Sequence, residues 1–245
     1  MHSILDTHKL PTHIAVIMDG NGRWANSRDL PRVSGHFHGV EAVREVTEGC
    51  AELGIGYLTL YAFSTENWNR PEEEVDALMN LLVETIHNEI KTLNKNNIKL
   101  QTIGDIQKLP AKTREALMEA IRSTSQNNGL ILTLALNYSG RWEIVEAAKK
   151  LAKKAASKEL DPNLITESDL SMHLNTHHMP DPDMLIRTSG ENRISNFLLW
   201  QLAYSEFIFL PIFWPDFRKM HLYECITEYQ NRERRYGMTG EQIKL

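Results

Sequence analysis

The feature that most constrains the fold is a regular alternation of short apolar runs with longer segments of helical periodicity. His13 to Met18 (HIAVIM) is a β-branched run that ends at Asp-Gly-Asn-Gly, as a buried strand followed by a loop would. From Gly35 to Leu53, apolar residues recur every three or four positions, and Gly54 follows as a C-terminal cap. The start of the chain therefore predicts one strand and one amphipathic helix.

The same alternation continues along the rest of the chain. It predicts strands at Tyr57 to Phe63, Lys99 to Ile103, Leu130 to Asn137, Met184 to Thr188 and Phe207 to Leu210. It predicts helices at Pro71 to Leu93, Pro110 to Ser125, Arg141 to Ala156, Glu167 to Asn175, Asn196 to Ala203 and Asp216 to Tyr236. Strands separated by helices are joined by right-handed crossovers, which give a mostly parallel sheet covered on both faces. We therefore expect a single α/β domain over residues 1–245, with about six mostly parallel strands flanked by helices.

Composition and charge exclude several classes of protein. The fractions of 42% hydrophobic and 24% charged residues are those of an ordinary globular chain. A net charge of −5 argues against nucleic-acid binding, which relies on a broad basic face. Cys50 and Cys225 have neither disulfide-framework nor zinc-site spacing. Because Met1 to Lys9 also lacks the apolar stretch of a secretory signal, we expect a cytoplasmic protein.

Polar residues follow the first predicted strand, at the edge where ligands bind in sheets of this kind. These residues are Asp19, Gly20, Asn21, Gly22, Arg23 and Trp24. The glycines permit close backbone approach, successive N–H groups can hold an anion, and arginine supplies a fork of donors. A simple glycine turn with a capping aspartate would need neither arginine nor tryptophan. A phosphate-binding loop is therefore favoured here.

Two further loops carry similar chemistry. The second strand is followed by Ser64, Thr65, Glu66, Asn67, Trp68 and Arg70. Arg70 at a helix start opposes the helix dipole, which favours an anion between them, although Ser64 to Asn69 alternatively only cap the helix. After the fifth strand, Arg187 and Arg193 flank a small-residue loop that Ser195 follows. Together with Arg32 and His36, these loops predict two anion sites.

Glu206 is an isolated carboxylate in the apolar run from Phe197 to Phe213. A buried carboxylate is costly unless it is paired or bound to a metal, and the residues leave arginine pairing and metal binding equally open. Asp19 and Glu206 are hard oxygen ligands of the kind that holds Mg²⁺ together with substrate phosphates. The ten histidines show no zinc-site spacing, so Mg²⁺ is the predicted metal.

Two other enzyme classes remain alternatives on these residues. The loop from Gly20 to Ala25 spells G-x-G-x-x-A, but the second strand ends without the acidic residue that a dinucleotide ribose requires. A phosphatase of haloacid-dehalogenase type would use Asp19 as nucleophile, with Asn21 in place of the usual second acid. Asn21 is a poor acid, which disfavours this alternative.

Three segments together resemble the cis-prenyltransferase family. They are HIAVIMDGNGRWA (His13 to Ala25), YAFSTENWNRP (Tyr61 to Pro71) and IRTSGENRISNFLLWQLAYSEFIF (Ile186 to Phe209). The resemblance spans nearly the whole chain and departs at Asn192, where relatives often have His or Gln. It implies Mg²⁺-dependent condensation of an allylic diphosphate, farnesyl diphosphate, with successive isopentenyl diphosphates. Each addition makes a cis double bond, and the long product is the lipid-carrier precursor for cell-wall polysaccharide.

The resemblance also implies roles for individual residues. Asp19 is the carboxylate that helps to ionise the allylic diphosphate with Mg²⁺, and Glu206 is a second metal residue. Asn67 matches a position assigned as proton acceptor, but an amide is a poor base, so we expect it to position groups. The residues expected at the allylic substrate are Gly20, Asn21, Gly22, Arg23, Trp24, Arg32, His36, Ser64, Thr65, Glu66, Trp68 and Arg70. Those expected at isopentenyl diphosphate are Arg187, Arg193, Ile194 and Ser195.

Finally, the resemblance implies an apolar tunnel, a partner subunit and a lipid product. The tunnel candidates, which periodicity alone would make ordinary core residues, are Val40, Val43, Leu78, Leu81, Leu82, Ile86 and Leu130. The expected assembly is a homodimer with Arg193 and Glu206 near its interface. Transient membrane association through the product is also expected. Some relatives are accessory subunits of a two-chain synthase, and this alternative stays open.

Overall fold

The structure, a computed structural model, describes residues 5–234. Within this range six strands form one sheet: β1 (His13–Ile17), β2 (Tyr57–Ser64), β3 (Lys99–Ile103), β4 (Ile131–Tyr138), β5 (Met184–Arg187) and β6 (Glu206–Phe209). All pairings are parallel, and the spatial order is β3-β4-β2-β1-β5-β6. Every predicted strand is confirmed to within one residue at each end.

Helices cover both faces of the sheet. Those of the described range are α1 (Asn21–Asn26), α2 (Arg32–Leu53), α3 (Glu72–Lys95), α4 (Ala111–Ser123), α5 (Gly140–Ala156), α6 (Glu167–Ser171) and α7 (Lys219–Gln230). Short 3₁₀-helices lie at Thr7–Lys9, Thr65–Asn69, Ile106–Lys108, Pro162–Leu164 and Trp214–Asp216. Helices α2, α3, α4 and α7 pack on one face over the larger core, whereas α5 and α6 belong to the other side. The predicted α/β architecture is confirmed.

Four segments differ from the sequence prediction, one of them being the helix predicted at Glu167 to Asn175, which ends at Ser171. The polar segment after β1, predicted as a loop, forms the short helix α1. The helix predicted at Asn196 to Ala203 is wrong: these residues form successive turns. The reason is that Ser195, Asn196 and Leu198 hold φ angles of 47°, 62° and 44°, in the left-handed region that interrupts a right-handed helix. The last predicted helix is shorter, beginning at Lys219 and ending at Gln230, and its predicted end at Tyr236 lies outside the described residues.

Local chemistry explains how two helices reach the edge of the sheet. Helix α3 begins as predicted, with Pro71 before it and three glutamates in its first turn, where the helix dipole favours negative charge. Helix α2 approaches α1 closely at Gly35, where a Cβ would lie 1.9 Å from the backbone oxygen of Asn21. Only glycine fits this contact, so it sets the position of α2 beside α1.

The direction of chain connection reverses beside β1. Strands β2, β4 and β3 lie on one side of β1, and β5 and β6 lie on the other. The carboxyl ends of strands at such a reversal leave a crevice, the usual ligand site of open α/β sheets. Asp19 follows β1 at this edge, while Ser64 and Arg187 end β2 and β5. The sheet therefore brings the three predicted loops together.

The structure also bears on membrane-spanning helices and on the two cysteines. Over residues 5–234, every helix is too short or too polar to span a membrane. Cys50 and Cys225 are free thiols in the core.

Candidate active site

The carboxylate of Asp19 lies at the crevice between β1 and β5. Its Oδ2 accepts a hydrogen bond from Nη2 of Arg187 at 2.8 Å and lies 3.3 Å from Nη2 of Arg23. Its Oδ1 accepts a hydrogen bond from the backbone N–H of Gly20 at 2.6 Å. Gly20 has a φ of +100°, and a Cβ there would lie 2.8 Å from Oγ of Ser189, so this position requires glycine.

These contacts keep Asp19 ionised. Burial alone would raise the pKa of Asp19, but the hydrogen bond and charge of Arg187, aided by Arg23 and the Gly20 N–H, hold that pKa below its ordinary value. A carboxylate offers about four lone-pair sites, and the hydrogen bonds from Arg187 and Gly20 occupy two of them. The side chain is 28% exposed, so the carboxylate is accessible from the crevice.

Arg187 connects Asp19 to the loop after β5. Its side chain is only 4% exposed. Its Nη1 donates to Oγ of Ser195 at 2.7 Å and to the carbonyl oxygen of Arg193. These hydrogen bonds position Asp19 and Ser195, while Nε of Arg187 is buried and has no hydrogen-bond partner in the described part of the chain. The expected binding of a substrate by Arg187 stays a prediction.

A second group of cations surrounds Glu74, which the sequence analysis did not single out. Oε1 of Glu74 accepts a hydrogen bond from Nη1 of Arg70 at 3.0 Å. Its Oε2 lies 3.4 Å from Nε of Arg32. Glu74 is only 8% exposed, so this carboxylate holds the two guanidinium groups in place where water is scarce. The only sequence signal was its place in the first turn of α3, which Glu72 and Glu73 share.

His36 adds a neutral group to this cluster. Its Nε2 lies 3.7 Å from Oε1 of Glu74, beyond hydrogen-bond distance, and has no hydrogen-bond partner among residues 5–234. Burial first, and then the positive charges of Arg70 and Arg32, lower the pKa of His36 to about 4. The ring is therefore uncharged at neutral pH, with one nitrogen free to bond a ligand.

Arg23 and Arg193 share the carboxylate of Glu191. Nη1 of Arg23 donates to Oε1 of Glu191 at 2.7 Å, and Nη1 of Arg193 donates to Oε2. The side chains of Arg23 and Arg193 are 44% and 60% exposed. Because exposed ion pairs contribute about 1 kcal/mol or less, both arginines can transfer to another anion at small cost. Glu191 thus joins Arg23, expected at the allylic substrate, to Arg193, expected at isopentenyl diphosphate.

The segment after β2 forms a 3₁₀-helix with a capping box at its start. The backbone N–H of Ser64 donates to Oδ1 of Asn67 at 3.0 Å, and the Ser64 side chain accepts from the backbone N–H of Asn67. This capping box closes the 3₁₀-helix at Thr65–Asn69, whereas α3 has Pro71 at its N-cap and no side-chain cap, so the alternative that Ser64 to Asn69 only cap α3 is wrong. The box leaves the NH₂ group of Asn67 for other contacts. Nε1 of Trp68 donates to Oδ1 of Asn137 at 2.8 Å, which fixes the indole against the neighbouring strand.

A cavity of about 820 Å³ begins at these polar groups and extends beneath α2 and α3. Its apolar walls come from these helices and the sheet and include Val40, Val43, Leu60, Leu78, Leu81, Leu82, Ile86, Leu100, Leu132 and Leu134. The volume falls within the range of about 300–1,000 Å³ that is usual for small-molecule sites. A charged mouth and an apolar interior fit a ligand with an anionic head and a hydrocarbon tail.

Most of the predicted site residues line this cavity. They are Asp19, Gly20, Asn21, Gly22, Arg23, Arg32, His36, Ser64, Glu66, Asn67, Arg70, Arg187, Arg193 and Ser195. Trp24, Thr65, Trp68 and Ile194 are absent from the lining. Trp24 is 7% exposed, and its Nε1 donates to Oδ1 of Asp216 at 2.7 Å, so its indole is committed to a contact outside the cavity.

One tunnel residue was predicted wrongly. Leu130 is absent from the cavity lining, although Val40, Val43 and the four candidates on α3 are part of it. Leu130 precedes β4 and is 3% exposed in the core. Leu132 and Leu134, on the same face of β4, line the cavity in its place.

Glu206 lies at the other end of the sheet from Asp19. It begins β6 level with Met184, whereas Arg187, the partner of Asp19, ends β5 about 10 Å further along the strand direction. Oε2 of Glu206 accepts a hydrogen bond from Nη1 of Arg232 at 2.9 Å. Within one chain the structure thus shows arginine pairing and does not bring Glu206 to Asp19. No cluster of three or more metal-binding side chains occurs between residues 5 and 234.

Comparison with known proteins assigns the family. A family model described as "Putative undecaprenyl diphosphate synthase" matches residues 17–237. The chain belongs to the undecaprenyl diphosphate synthase family. The resemblance drawn from the three segments is confirmed, and membership of this prenyltransferase family decides against the dinucleotide and phosphatase alternatives.

Curated members of the undecaprenyl diphosphate synthase family match over almost the full chain. An isoprenyl transferase of Clostridium tetani is 54% identical over 233 residues, which cover 95% of this chain and 91% of the relative. A ditrans,polycis-undecaprenyl-diphosphate synthase of Vibrio vulnificus, named as (2E,6E)-farnesyl-diphosphate specific, is 50% identical over 243 residues, covering 99% of this chain and 97% of the relative.

Two solved structures share the fold. Lavandulyl diphosphate synthase from Lavandula x intermedia, in complex with dimethylallyl diphosphate, has a TM-score of 0.91 at 37% identity, covering 94% of this chain and 99% of that one. A "probable undecaprenyl diphosphate synthase" from Campylobacter jejuni has a TM-score of 0.77 at 34% identity, covering 93% and 98%. The six-stranded α/β fold is therefore that of prenyl diphosphate synthases.

Proposed function

We propose that this protein elongates prenyl chains with cis geometry. It condenses isopentenyl diphosphate with farnesyl diphosphate and then with its own products, giving undecaprenyl diphosphate, the lipid-carrier precursor for cell-wall polysaccharide. The observation that carries this proposal is the continuity of a cation-rich mouth with an apolar cavity of about 820 Å³. The name of the Vibrio vulnificus relative supports the farnesyl substrate. The dimethylallyl diphosphate in the Lavandula neighbour supports allylic diphosphate binding in this fold.

The allylic head group binds among Arg32, His36 and Arg70, where the cavity begins. The two guanidinium groups pair with phosphate oxygens, and the neutral ring of His36 adds a hydrogen bond. Glu74 contacts both guanidinium groups and so keeps them in position before the substrate binds. The hydrocarbon tail then lies between α2, α3 and the sheet, where burial of apolar surface stabilises it.

Isopentenyl diphosphate binds on the opposite side of Asp19. Its phosphates replace Glu191 as the partner of Arg193, and Ser195 supplies a hydroxyl beside them, while Arg23 exchanges Glu191 for the allylic diphosphate. Arg187 holds both Asp19 and Ser195, so it fixes the distance between the two substrate sites. The reacting carbons of the two substrates meet beside Asp19, and this positioning supplies much of the catalysis.

Asp19 is the residue that would hold Mg²⁺. It is an ionised hard-oxygen ligand with a lone-pair site to spare, which fits an ion that proteins hold through one or two carboxylates and substrate phosphates. When bound, Mg²⁺ neutralises negative charge on the leaving diphosphate. Arg32 and Arg70 oppose the same developing charge. The NH₂ group of Asn67 donates and cannot accept a proton, so Asn67 positions a substrate while a diphosphate oxygen or water takes the proton.

We further propose a homodimer whose C-terminal halves meet near Arg193 and Glu206. Glu206 is far from Asp19 within one chain, so a metal role for Glu206 requires the second copy. Light scattering should give the mass of two chains, and a monomeric mass would contradict this assembly. We also propose a cytoplasmic location, with transient membrane association through the lipid product.

The function is tested by incubating the purified protein alone with farnesyl diphosphate, radiolabelled isopentenyl diphosphate and Mg²⁺. Label should enter lipid-extractable product, and EDTA should abolish this incorporation. Incorporation that requires a second synthase chain would make the protein an accessory subunit. Release of inorganic phosphate without incorporation would overturn the proposal.

A further inference from the structure

Helices α2 and α3 run side by side above the cavity, and ion pairs join them at two levels. At the mouth, Arg32 lies 3.4 Å from Glu74. Further along, Nη2 of Arg44 donates to Oε1 of Glu89 at 2.5 Å. Arg44 is about 18 Å beyond Arg32 along α2, at 1.5 Å per helical residue. The second ion pair therefore lies well away from the diphosphate site and has no part in binding the head group.

Arg44 and Glu89 both line the cavity, so their ion pair forms part of its wall. Thr47, one turn further along α2, also lines the cavity. It is 5% exposed, and its Oγ1 has no hydrogen-bond partner in the described part of the chain. At this level a direct ion pair joins α2 to α3 in the cavity wall.

We propose that the Arg44–Glu89 ion pair is the latch of a lateral gate through which the long hydrocarbon product leaves for a lipid surface. This inference rests on the proposed elongation activity. The side chains of Arg44 and Glu89 are 41% and 19% exposed, and ion pairs with this access to water cost little to break. The boundary between α2 and α3 continues to the mouth of the cavity, so the head group leaves by the same opening as the hydrocarbon chain.

The other two routes out of the cavity are less favourable. The closed end is formed by core residues such as Ile98 and Leu100, which are 1% and 2% exposed. Opening it would disrupt close-packed core. Withdrawal through the mouth alone would draw the whole hydrocarbon chain past Asp19 and the arginines. Contact with these charged groups does not stabilise an apolar chain as burial in the cavity does. Lateral opening avoids both costs.

The gate is tested by loading the protein with radiolabelled undecaprenyl diphosphate and measuring transfer to phosphatidylcholine–phosphatidylglycerol vesicles, separated by sedimentation. Arg44→Gln and Glu89→Gln should each speed transfer about two- to fivefold, since pairs of this exposure are weak and tenfold corresponds to 1.4 kcal/mol. Arg44→Glu should speed transfer more, because Glu41, Glu48 and Glu89 then repel the new carboxylate. The double variant Arg44→Glu, Glu89→Arg should restore the slower rate.

The matched control is Lys149→Gln, which removes an exposed ion pair with Glu146 on α5 and should leave transfer unchanged. Unchanged transfer in Arg44→Gln and Glu89→Gln would overturn the gate. So would faster transfer that the double variant does not reverse, or altered product length without altered transfer. A wild-type protein that fails to retain the labelled lipid would instead contradict the proposed function.

Discussion

Arg187 donates a hydrogen bond from Nη2 to Oδ2 of Asp19 at 2.8 Å, across 168 positions of sequence. The contact forms because β1 and β5 are neighbours in the sheet, which brings Arg187 at the end of β5 beside the residues that follow β1. Arg187 is 4% exposed and also donates to Ser195. One buried guanidinium thus keeps Asp19 ionised and joins the two proposed substrate sites.

Arg187→Gln should shift the pH dependence of the reaction. Without the hydrogen bond and charge of Arg187, burial raises the pKa of Asp19, so the carboxylate is lost at higher pH than in the wild type. The acid limb of the kcat/KM profile should therefore move to higher pH. Arg122→Gln, an exposed change on α4, should leave the limb in place. An unmoved limb in Arg187→Gln would contradict this role of Arg187.

Asp19→Ala should lower turnover about 10²-fold or more while the protein stays folded, since loss of one preorganised charged group at a reaction centre typically costs this much. The measurements are steady-state kcat and the thermal unfolding midpoint. Asp76→Asn removes an exposed carboxylate on α3 and should match the wild type in both. Near-normal turnover in Asp19→Ala would exclude the assigned role.

The sheet was predictable because buried parallel strands are short apolar runs bounded by polar residues. Lys99 to Ile103 matches the structure at both ends. The helix predicted at 196–203 failed for a related reason: an apolar run in consecutive turns has the same composition as a buried helix. Only the left-handed backbone at Ser195, Asn196 and Leu198 distinguishes the two, and periodicity does not report it.

The sequence likewise predicted some residues of the candidate site and missed others. Asp19 and Arg187 were found because polar residues after buried strands have few local explanations. Glu74 was missed because the helix dipole accounts equally for its neighbours, and only contacts with Arg32 and Arg70 single it out. The direction of Trp24 depends on Asp216, 192 residues away, which local sequence does not reveal.

His13 should make stability depend on pH. It is 1% exposed and bonded to Thr59 and Pro180, and burial lowers its pKa to about 4. The pKa of His13 in the folded protein lies below its value of about 6.5 in the unfolded chain. The contribution of neutral His13 to the free energy of unfolding is therefore complete above pH 6.5. It falls by up to about 1.4 kcal/mol per pH unit as the pH is lowered toward 4.

Denaturant unfolding of His13→Gln between pH 7 and pH 4.5 checks this contribution. As the pH is lowered, the free energy of unfolding of His13→Gln should fall less steeply than that of the wild type. His36 titrates in the same window, so some dependence should persist in the variant. His87→Gln, at an exposed site on α3, should keep the wild-type slope. Equal slopes in His13→Gln and the wild type would contradict the account.

Leu82→Phe should shorten the product. Leu82 lines the cavity from α3 and is only partly buried, so a larger ring takes space from the growing chain without overpacking the core. Chromatography of the extracted products should show a maximum at least one isoprene unit shorter. Leu164→Phe makes the same change at a site that is 69% exposed and should leave the length unchanged. Wild-type length in Leu82→Phe would mean that this wall does not bound the chain.

The central claim is that the cavity bounded by α2 and α3 holds a growing cis-polyprenyl chain. Mass spectrometry and carbon-13 NMR of the product formed by the protein alone from farnesyl diphosphate and isopentenyl diphosphate test it most directly. We predict a long polyprenyl diphosphate whose added units carry cis double bonds, and which is absent when EDTA removes Mg²⁺. A product with trans additions, or no condensation product, would contradict the account.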